Sequence, residues 1–409
     1  MEITFLGTSS GVPTRTRNVS SVALRLPQRK EIWLFDCGEA TQHQLLRSDL
    51  RTSQIRRIFI THMHGDHIFG LMGLLASCGL AGTVSQIDVY GPPTLDRYIA
   101  SCLRWSVMRL PYKLQVHTVE PGEVFSDGEF TVTCRLLHHR VPAFGYRVTE
   151  GDRPGRFHVE KAQALGIPFG PLYGQLKQGK TITLEDGRTF DGRDFCDPPQ
   201  RGRSMVYCTD TVFCDSAVEL SQQADVLIHE ATFSHQEANL AFARLHSTST
   251  MAAQVAAFAQ VKLLFLTHFS ARYAPGNPVQ VEDLLAEAQA IFPNTRLARD
   301  FLHYAIPRDG QIGEEMPSSH QDSPAAANTD TLDATLGPLE AQTVAPDPNS
   351  RPAIAINRAT RQQMQQKLGI DATTANAILE RRRQQKFTCL GELERLYPQV
   401  DWSTLNVLF

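Results

Sequence analysis

Thr61-His62-Met63-His64-Gly65-Asp66-His67-Ile68-Phe69-Gly70 is the stretch that decides the fold of this 409-residue chain. Four groups able to bind a metal (His62, His64, Asp66 and His67) fall within a few residues of one another, directly after the apolar run Ile58-Phe59-Ile60, which predicts a buried strand. On a strand, alternate side chains share a face, so His62 and His64 are expected to close on one ion. Gly65 then interrupts the strand and lets Asp66 and His67 turn toward a second ion beside it. Imidazoles with one carboxylate and no thiolate suit zinc, or less selectively manganese or iron. A loop of solvated histidines is the plain alternative, and the crowding of these groups behind a buried strand speaks against it.

A two-metal site needs further ligands, expected as isolated His or Asp residues at the ends of apolar strands. Three positions fit: His139 after Thr131 to Leu137, Asp210 after Ser204 to Thr209, and His268 after Leu263 to Thr267. Each alone reads more readily as an ordinary strand-end polar residue. Together with the decapeptide they complete two coordination shells.

On these residues the chain resembles the metallo-β-lactamase superfamily, whose signature His-x-His-x-Asp-His is a fold-level match shared by many hydrolases. Other segments are similar to the tRNase Z (ribonuclease Z) family within it. They are Phe5-Leu6-Gly7-Thr8-Ser9-Ser10-Gly11-Val12-Pro13 with Arg17-Asn18, and Phe35-Asp36-Cys37-Gly38-Glu39-Ala40-Thr41-Gln42. Later come His139 with Gly145-Tyr146, His229-Glu230-Ala231-Thr232-Phe233, His246-Ser247-Thr248, and Leu266-Thr267-His268-Phe269-Ser270-Ala271-Arg272-Tyr273. The resemblance runs in order through residues 1–307, with Ala40 standing where the family pattern has Gly.

The resemblance implies an α/β protein with the metallo-β-lactamase αβ/βα sandwich, in which two mixed sheets pack face to face and hold two Zn2+ per chain at one edge. It implies an endoribonuclease that removes the 3′ trailer of pre-tRNA. His62, His64 and His139 would hold one zinc, Asp66, His67 and His268 the other, and Asp210 would bridge them. Asp66 would also orient the attacking water and accept its proton, while His246, held by Glu230, would protonate the leaving 3′ oxygen. Glu230 reads alternatively as a partner of a metal-bound histidine, and His246 as a neighbour of the Ser247-Thr248 helix start. His138 is expected to lie just behind the ligands. A hydrolase of a small phosphodiester, sulfate ester, lactone or cyclic nucleotide is the competing reading, and a non-catalytic RNA scaffold a weaker one.

Residues 151–202 break the alternation of strands and helices with a Gly-, Pro-, Lys- and Arg-rich excursion. It resembles the flexible arm with which the family clasps the body of tRNA. Gly170, Pro171 and Lys177 in the arm, with Arg272 beside His268, are the implied RNA contacts. The family is commonly a homodimer whose arm serves the partner's active site. Basic residues for RNA are also expected among Arg15, Arg17, Arg47, Arg51, Arg56 and Arg57, because residues 1–306 carry 30 Lys+Arg against 30 Asp+Glu.

This length predicts a principal domain plus something smaller. Residues 1–306 form the first. Residues 307–350, with 1 basic and 8 acidic side chains and no aromatic group, predict a disordered acidic linker. Residues 351–409 predict a small all-α domain, with Met364 and Leu368 at helical spacing, Gly369-Ile370-Asp371, and a helix over Thr373–Arg383. This tail is similar to the helix-hairpin-helix domain of DNA-uptake competence proteins. Asp371 stands where that module receives a phosphate, whereas Arg381-Arg382-Arg383 and Lys386 favour nucleic acid, so binding of nucleic acid and docking of a protein both stay open. No apolar run of about 18 residues predicts a membrane span. Eight cysteines, mostly in apolar segments and without Cys-x-x-Cys spacing, predict reduced thiols in a cytoplasmic protein.

Overall fold

The computed structural model describes residues 1–308 except 83 and 154, the pair 315–316, and in the tail 354–356, 359–384, 393, 395–400 and 407–408. The chain divides into two compact units, Met1–Ala325 and Ala326–Phe409.

In the first unit, apolar segments that alternate in side-chain direction build two sheets. β1 (Glu2–Gly7), β2 (Ser21–Leu26), β3 (Glu31–Phe35), β4 (Ile55–Phe59), β5 (Gln86–Gly91) and β6 (Lys113–Thr118) belong to one. β7 (Gly122–Ser126), β8 (Phe130–Leu137), β9 (Ala143–Glu150), β10 (Ser204–Cys208), β11 (Val226–Glu230), β12 (Leu263–Thr267) and β13 (Thr295–Leu297) form the other. β14 (His303–Ala305) then returns to the first sheet. The spatial orders are β14-β1-β2-β3-β4-β5-β6 and β13-β12-β11-β10-β9-β8-β7, each with an antiparallel and a parallel portion.

Strands buried on both faces explain the nearly continuous apolar runs. Trp33 and Phe35 of β3 join Val226 and Ile228 of β11 in the core between the sheets. Ile32 and Leu34 face outward onto the helix Leu71–Leu80, and Leu227 onto the helices Ser249–Phe258 and Val281–Gln289. Stacked Phe35–Phe59 and Phe59–Tyr90 pairs, with ring centroids 5.1 and 5.0 Å apart, stiffen the seam below the parallel strand ends. The result is the α/β two-sheet sandwich.

Three expectations shift in detail. The strand before the decapeptide ends at Phe59, so His62 and His64 stand on a loop and not on a strand. The reason is that Thr61 N–H leaves the ladder to bond the Asp36 carboxylate at 2.8 Å. The arm, expected as a flexible excursion, has a core of its own: Ala162, Ile167, Tyr173, Leu176, Ile182 and Phe195 are buried together. Most of the expected linker lies outside the described residues, yet order continues past residue 306. Arg308 pairs with Glu150 at 2.9 Å, and Glu315–Met316 adds to β14.

In the tail, Ile356, Met364, Leu368, Ile370, Ala375, Ile378 and Leu393 are buried in a small core. Gly369, left-handed at φ 70°, turns the chain into the helix Ala372–Gln384, and a short parallel pairing of Ile354–Ala355 with Val407–Leu408 adds to the expected helices. Asp371 accepts from Thr374 N–H at 2.9 Å, so its carboxylate occupies the helix start.

Ala40 is left-handed, φ 59°, at the entry to the helix Thr41–Leu46, which is the physical reason a glycine suits this position. Ala40→Gly should therefore stabilise the first unit by about 0.5–1 kcal/mol, the left-handed penalty of a Cβ less glycine's extra unfolded-state entropy. A urea midpoint that rises with unchanged m-value is the expected result, and a lower midpoint would mean that Cβ packing outweighs the strain.

Candidate metal centre

Every expected ligand stands at or just beyond a strand end along one edge of the sandwich. His62, His64, Asp66 and His67 follow β4, His139 follows β8, Asp210 follows β10 and His268 follows β12. They fall into one group of His62, His64, His139 and Asp210 and a second of Asp66, His67 and His268. In the first, His62 Nε2 lies 3.0 Å from His64 Nδ1, which lies 3.4 Å from His139 Nε2. Asp210 Oδ2 is 3.5 Å from His62 Nε2 and 3.8 Å from His139 Nε2. In the second, Asp66 Oδ2 is 3.4 Å from His67 Nε2 and 3.5 Å from His268 Nε2. Asp210 Oδ1 closes that group, 3.2 Å from His67 Nε2 and 3.1 Å from His268 Nε2.

These spacings fit two ions. Ligand atoms held tetrahedrally at ~2.0–2.1 Å from one zinc are themselves ~3.3 Å apart. The hydrogen bonds behind the rings leave the right lone pairs free. His139 Nδ1 donates to Leu245 O at 2.8 Å and His67 Nδ1 to Asp36 Oδ2 at 2.7 Å, while His268 Nδ1 meets Thr232 Oγ1 at 2.9 Å and His62 Nδ1 meets Thr61 Oγ1 at 3.0 Å. Each of these rings therefore presents Nε2 inward, and His64 alone presents Nδ1. His67 Nε2, His268 Nε2 and Asp210 Oδ1 are buried without a hydrogen-bond partner, and all three point to the same place. Such atoms are costly unless a cation meets them.

The electrostatics agree. Burial opposes charge on Asp210, yet His268, His67 and His62 hold its carboxyl well below the usual range. Burial likewise opposes charging His67, and the carboxylates of Asp210, Asp36 and Asp66 overcome it and raise that imidazole well above its ordinary value. The acidic groups thus demand positive charge at this point. Burial, with His62 beside it, lowers His64 to about 4 and leaves its ring neutral, as a ligand must be.

Glu230 and His246 stand at the flank. Glu230, fully buried on β11, accepts from Thr211 N–H at 2.6 Å and lies 3.0 Å from His246 Nδ1. Leu245, left-handed at φ 57°, swings His246 back from the helix Ala238–Arg244. Ser247 Oγ then locks onto Thr211 O at 2.5 Å, and Thr248 caps the next helix by accepting from Met251 N–H at 3.2 Å. The three consecutive side chains thus have three distinct jobs, and the cap is Thr248, not His246. Burial works against a charged His246, but Glu230 raises it to about 9.

Other expected residues lie apart. His138 exposes its ring, and only its backbone is tied in, to Thr211 Oγ1 and Val212 N–H. Arg272 pairs with Glu237 and spreads over the Phe233 ring, 5.1 Å from its centroid, so part of its fork is committed within the protein. In the arm, Gly170 adopts φ 145°, ψ −147°, a conformation essentially reserved for glycine, and Pro171 starts the helix Pro171–Lys177. Lys177 is exposed, its ammonium 5.5 Å from the Phe157 ring centroid.

Two contributors escaped the sequence reading. Asp36 appeared only as part of a resembling block, although its carboxylate holds both His67 and the Thr61 behind His62. Gly11, left-handed at φ 70°, donates its N–H to Asp66 Oδ2 at 2.8 Å. A buried acid immediately after an apolar strand was the available signal for Asp36; Gly11 stood only within the other resembling block, Phe5 to Pro13.

Comparison with known proteins places this geometry. Residues 1–143 match a family model described as anti-Pycsar protein Apyc1. A ribonuclease Z of Thermosynechococcus vestitus is 96% identical over 409 residues, the whole of both chains. A ribonuclease Z of a Cyanothece species is 70% identical over 308 residues, 75% of this chain and 96% of that one. Among solved structures, human tRNase Z, short form, is 32% identical with TM-score 0.55, covering 75% of this chain and 100% of that chain. The metallo-β-lactamase fold protein YhfI of Bacillus subtilis shares the fold at 19% identity, TM-score 0.52, over 74% of this chain and 98% of that chain. Identity of this extent over complete chains, on a two-lobed ligand set at the sheet edge, leaves one conclusion: the chain belongs to the ribonuclease Z family.

Proposed function

We propose that the chain is a metal-dependent endoribonuclease that removes 3′ trailers from pre-tRNA, leaving a 3′-hydroxyl on the tRNA and a 5′-phosphate on the trailer. The observation that carries this reading is the His246 imidazole, its Nδ1 3.0 Å from buried Glu230, at the flank of two ligand groups joined by Asp210. A proton donor beside such a centre suits cleavage of a phosphodiester with a poor alkoxide leaving group.

The ligand set fits two zinc ions: His62, His64 and His139 for one, Asp66, His67 and His268 for the other, Asp210 for both. When bound, they supply Lewis acidity, neutralising charge on the phosphate and making water more acidic. Asp66, its Oδ2 fixed by Gly11 N–H, orients the attacking water and accepts its proton as the oxygen joins phosphorus. The bond from phosphorus to the 3′ oxygen breaks, and His246 delivers a proton to that oxygen. Phosphorus therefore stays with the trailer.

We further propose that the arm, through Gly170, Pro171 and Lys177, grips the body of the tRNA, and that Arg272 contacts RNA near the centre. Homodimerisation follows the family resemblance. A cytoplasmic setting is consistent with the free thiols among the described cysteines, and no helix of the described residues is long and apolar enough to cross a membrane. The division into 1–306, a 307–350 linker and 351–409 gives the tail an accessory role toward nucleic acid or a protein. Incubation of purified protein with a labelled trailer-bearing pre-tRNA, with and without a chelator, tests the central reading.

Three outcomes are expected. His64→Ala and Asp210→Ala should each abolish cleavage and lower bound metal, and elemental analysis that still finds two ions per chain in both variants counts against the assigned ligands. His246→Ala should lower turnover by ~10²–10⁴ with metal content and substrate affinity held. Its partner variant, Glu230→Gln, should move the alkaline limb of the pH–rate profile to lower pH, because the carboxylate that raises His246 is gone; ion charge acts on both proteins alike. Metal loss in His246→Ala would point to a structural role instead. Replacing residues 155–195 by a short Gly/Ser linker should weaken pre-tRNA binding and spare hydrolysis of a small chromogenic phosphodiester, and equal losses on both would make the arm a support of the fold.

A further inference from the structure

Phe69 is out of place by the usual rules of burial. Its neighbours Ile68 and Leu71 are 3% and 0% exposed, whereas the Phe69 ring is 64% exposed. It follows the short helix Gly65–Ile68 that carries Asp66 and His67, and its own N–H bonds Gly65 O at 2.9 Å. The ring nevertheless has a seat. A Cβ placed on Gly65 would fall 2.2, 2.4 and 2.8 Å from Phe69 Cε2, Cζ and Cδ2, so the ring edge rests directly on the Gly65 backbone. Gly65 is not among the residues with positive φ, so the room it leaves for the ring, and not its backbone, is what a side chain here would take away. Gly65 lies between His64 and Asp66, one from each ligand group, with consecutive Cα atoms ~3.8 Å apart. The ring thus rests on the backbone between the two ligand groups, one residue from a member of each. A second exposed apolar side chain, Val12 at 56%, follows Gly11, whose N–H holds the same Asp66.

We infer that the exposed face of Phe69 is a stacking platform for one nucleobase flanking the scissile phosphate, an inference that rests on the ribonuclease reading. A phosphodiester positioned at the ligand groups brings a base on either side within reach of the rim, and a flat aromatic face accepts any of them. Stacking fixes the nucleotide about the bond to be broken, which is what an in-line displacement needs. Phe69 is a positioning residue in this scheme, contributing through the base and not through the reacting atoms.

The test uses the full chain, metal-loaded, with Phe69→Leu and Phe69→Trp, on a trailer-bearing pre-tRNA and on the same RNA made abasic at either nucleotide flanking the cut. Phe69→Leu keeps an apolar seat on Gly65 without a stacking face, so kcat/KM on intact RNA should fall ~10–100-fold, with Phe69→Trp near wild type. One abasic substrate should cost wild type a similar factor and cost Phe69→Leu little more. Phe69→Leu equal to wild type would overturn the inference, as would additive losses on the abasic RNA. So would loss of metal, or a change in oligomeric state by light scattering, that accounts for the whole defect. A wild-type protein that cuts no pre-tRNA would instead overturn the ribonuclease reading itself.

Discussion

A buried carboxylate at the seam between the sheets governs this molecule. Asp36, at the end of β3, accepts from Thr61 N–H and Thr61 Oγ1 on the metal-binding loop, from His67 Nδ1, and from Tyr207 OH on the opposite sheet. Four donors offset the cost of burying the charge, and in return the carboxylate dictates where the loop leaves the ladder and which nitrogen His67 turns inward. Tyr146 OH, bonded to Ile60 O at 2.8 Å, makes a second stitch across the same seam. The ligand edge is thereby tied to both sheets by buried hydrogen bonds, and such anchoring is what accurate placement of ligands requires.

The backbone there is held under strain as well. Asp36, Asp210 and His268 take φ of 58°, 40° and 59°, left-handed values that cost of order 1 kcal/mol each for residues with a Cβ. Each sits one or two residues beyond a strand of the two-sheet core, which supplies the constraint. A relaxed extended chain would carry these side chains past the centre; the left-handed step folds them back into it. Asp and His tolerate the region better than most residues, so identity and conformation reinforce one another.

Much of the centre was legible because its logic is local. A ligand one or two residues beyond an apolar strand is visible as a pattern, and His139, Asp210 and His268 follow such runs, as the decapeptide does. The arm's Gly-Pro block and the His246-Ser247-Thr248 triplet were equally plain as segments. What pairing alone could not supply were contacts between distant positions: Asp36 meets Tyr207 across 171 residues, and Gly11 meets Asp66 across 55. The loop carrying His62 and His64 was misread as strand because alternation of ligands has the same period as a pleat, while the hydrogen bond of Thr61 to Asp36 that ends the strand leaves no trace in composition. The arm's six buried side chains were hidden for another reason: they are spaced irregularly among glycines, without the period of either a helix or a strand.

Asp210 serves both ligand groups with different oxygens, Oδ2 toward His62 and His139, Oδ1 toward His67 and His268. Such a residue makes the two halves of the centre a single thermodynamic unit. An ion in one half would orient the carboxylate for an ion in the other. Emptying either half leaves a fully buried negative oxygen opposite imidazole nitrogens, and only protons can then take the place of the departed charge. Loss of a bound ion would thereby be linked to uptake of protons.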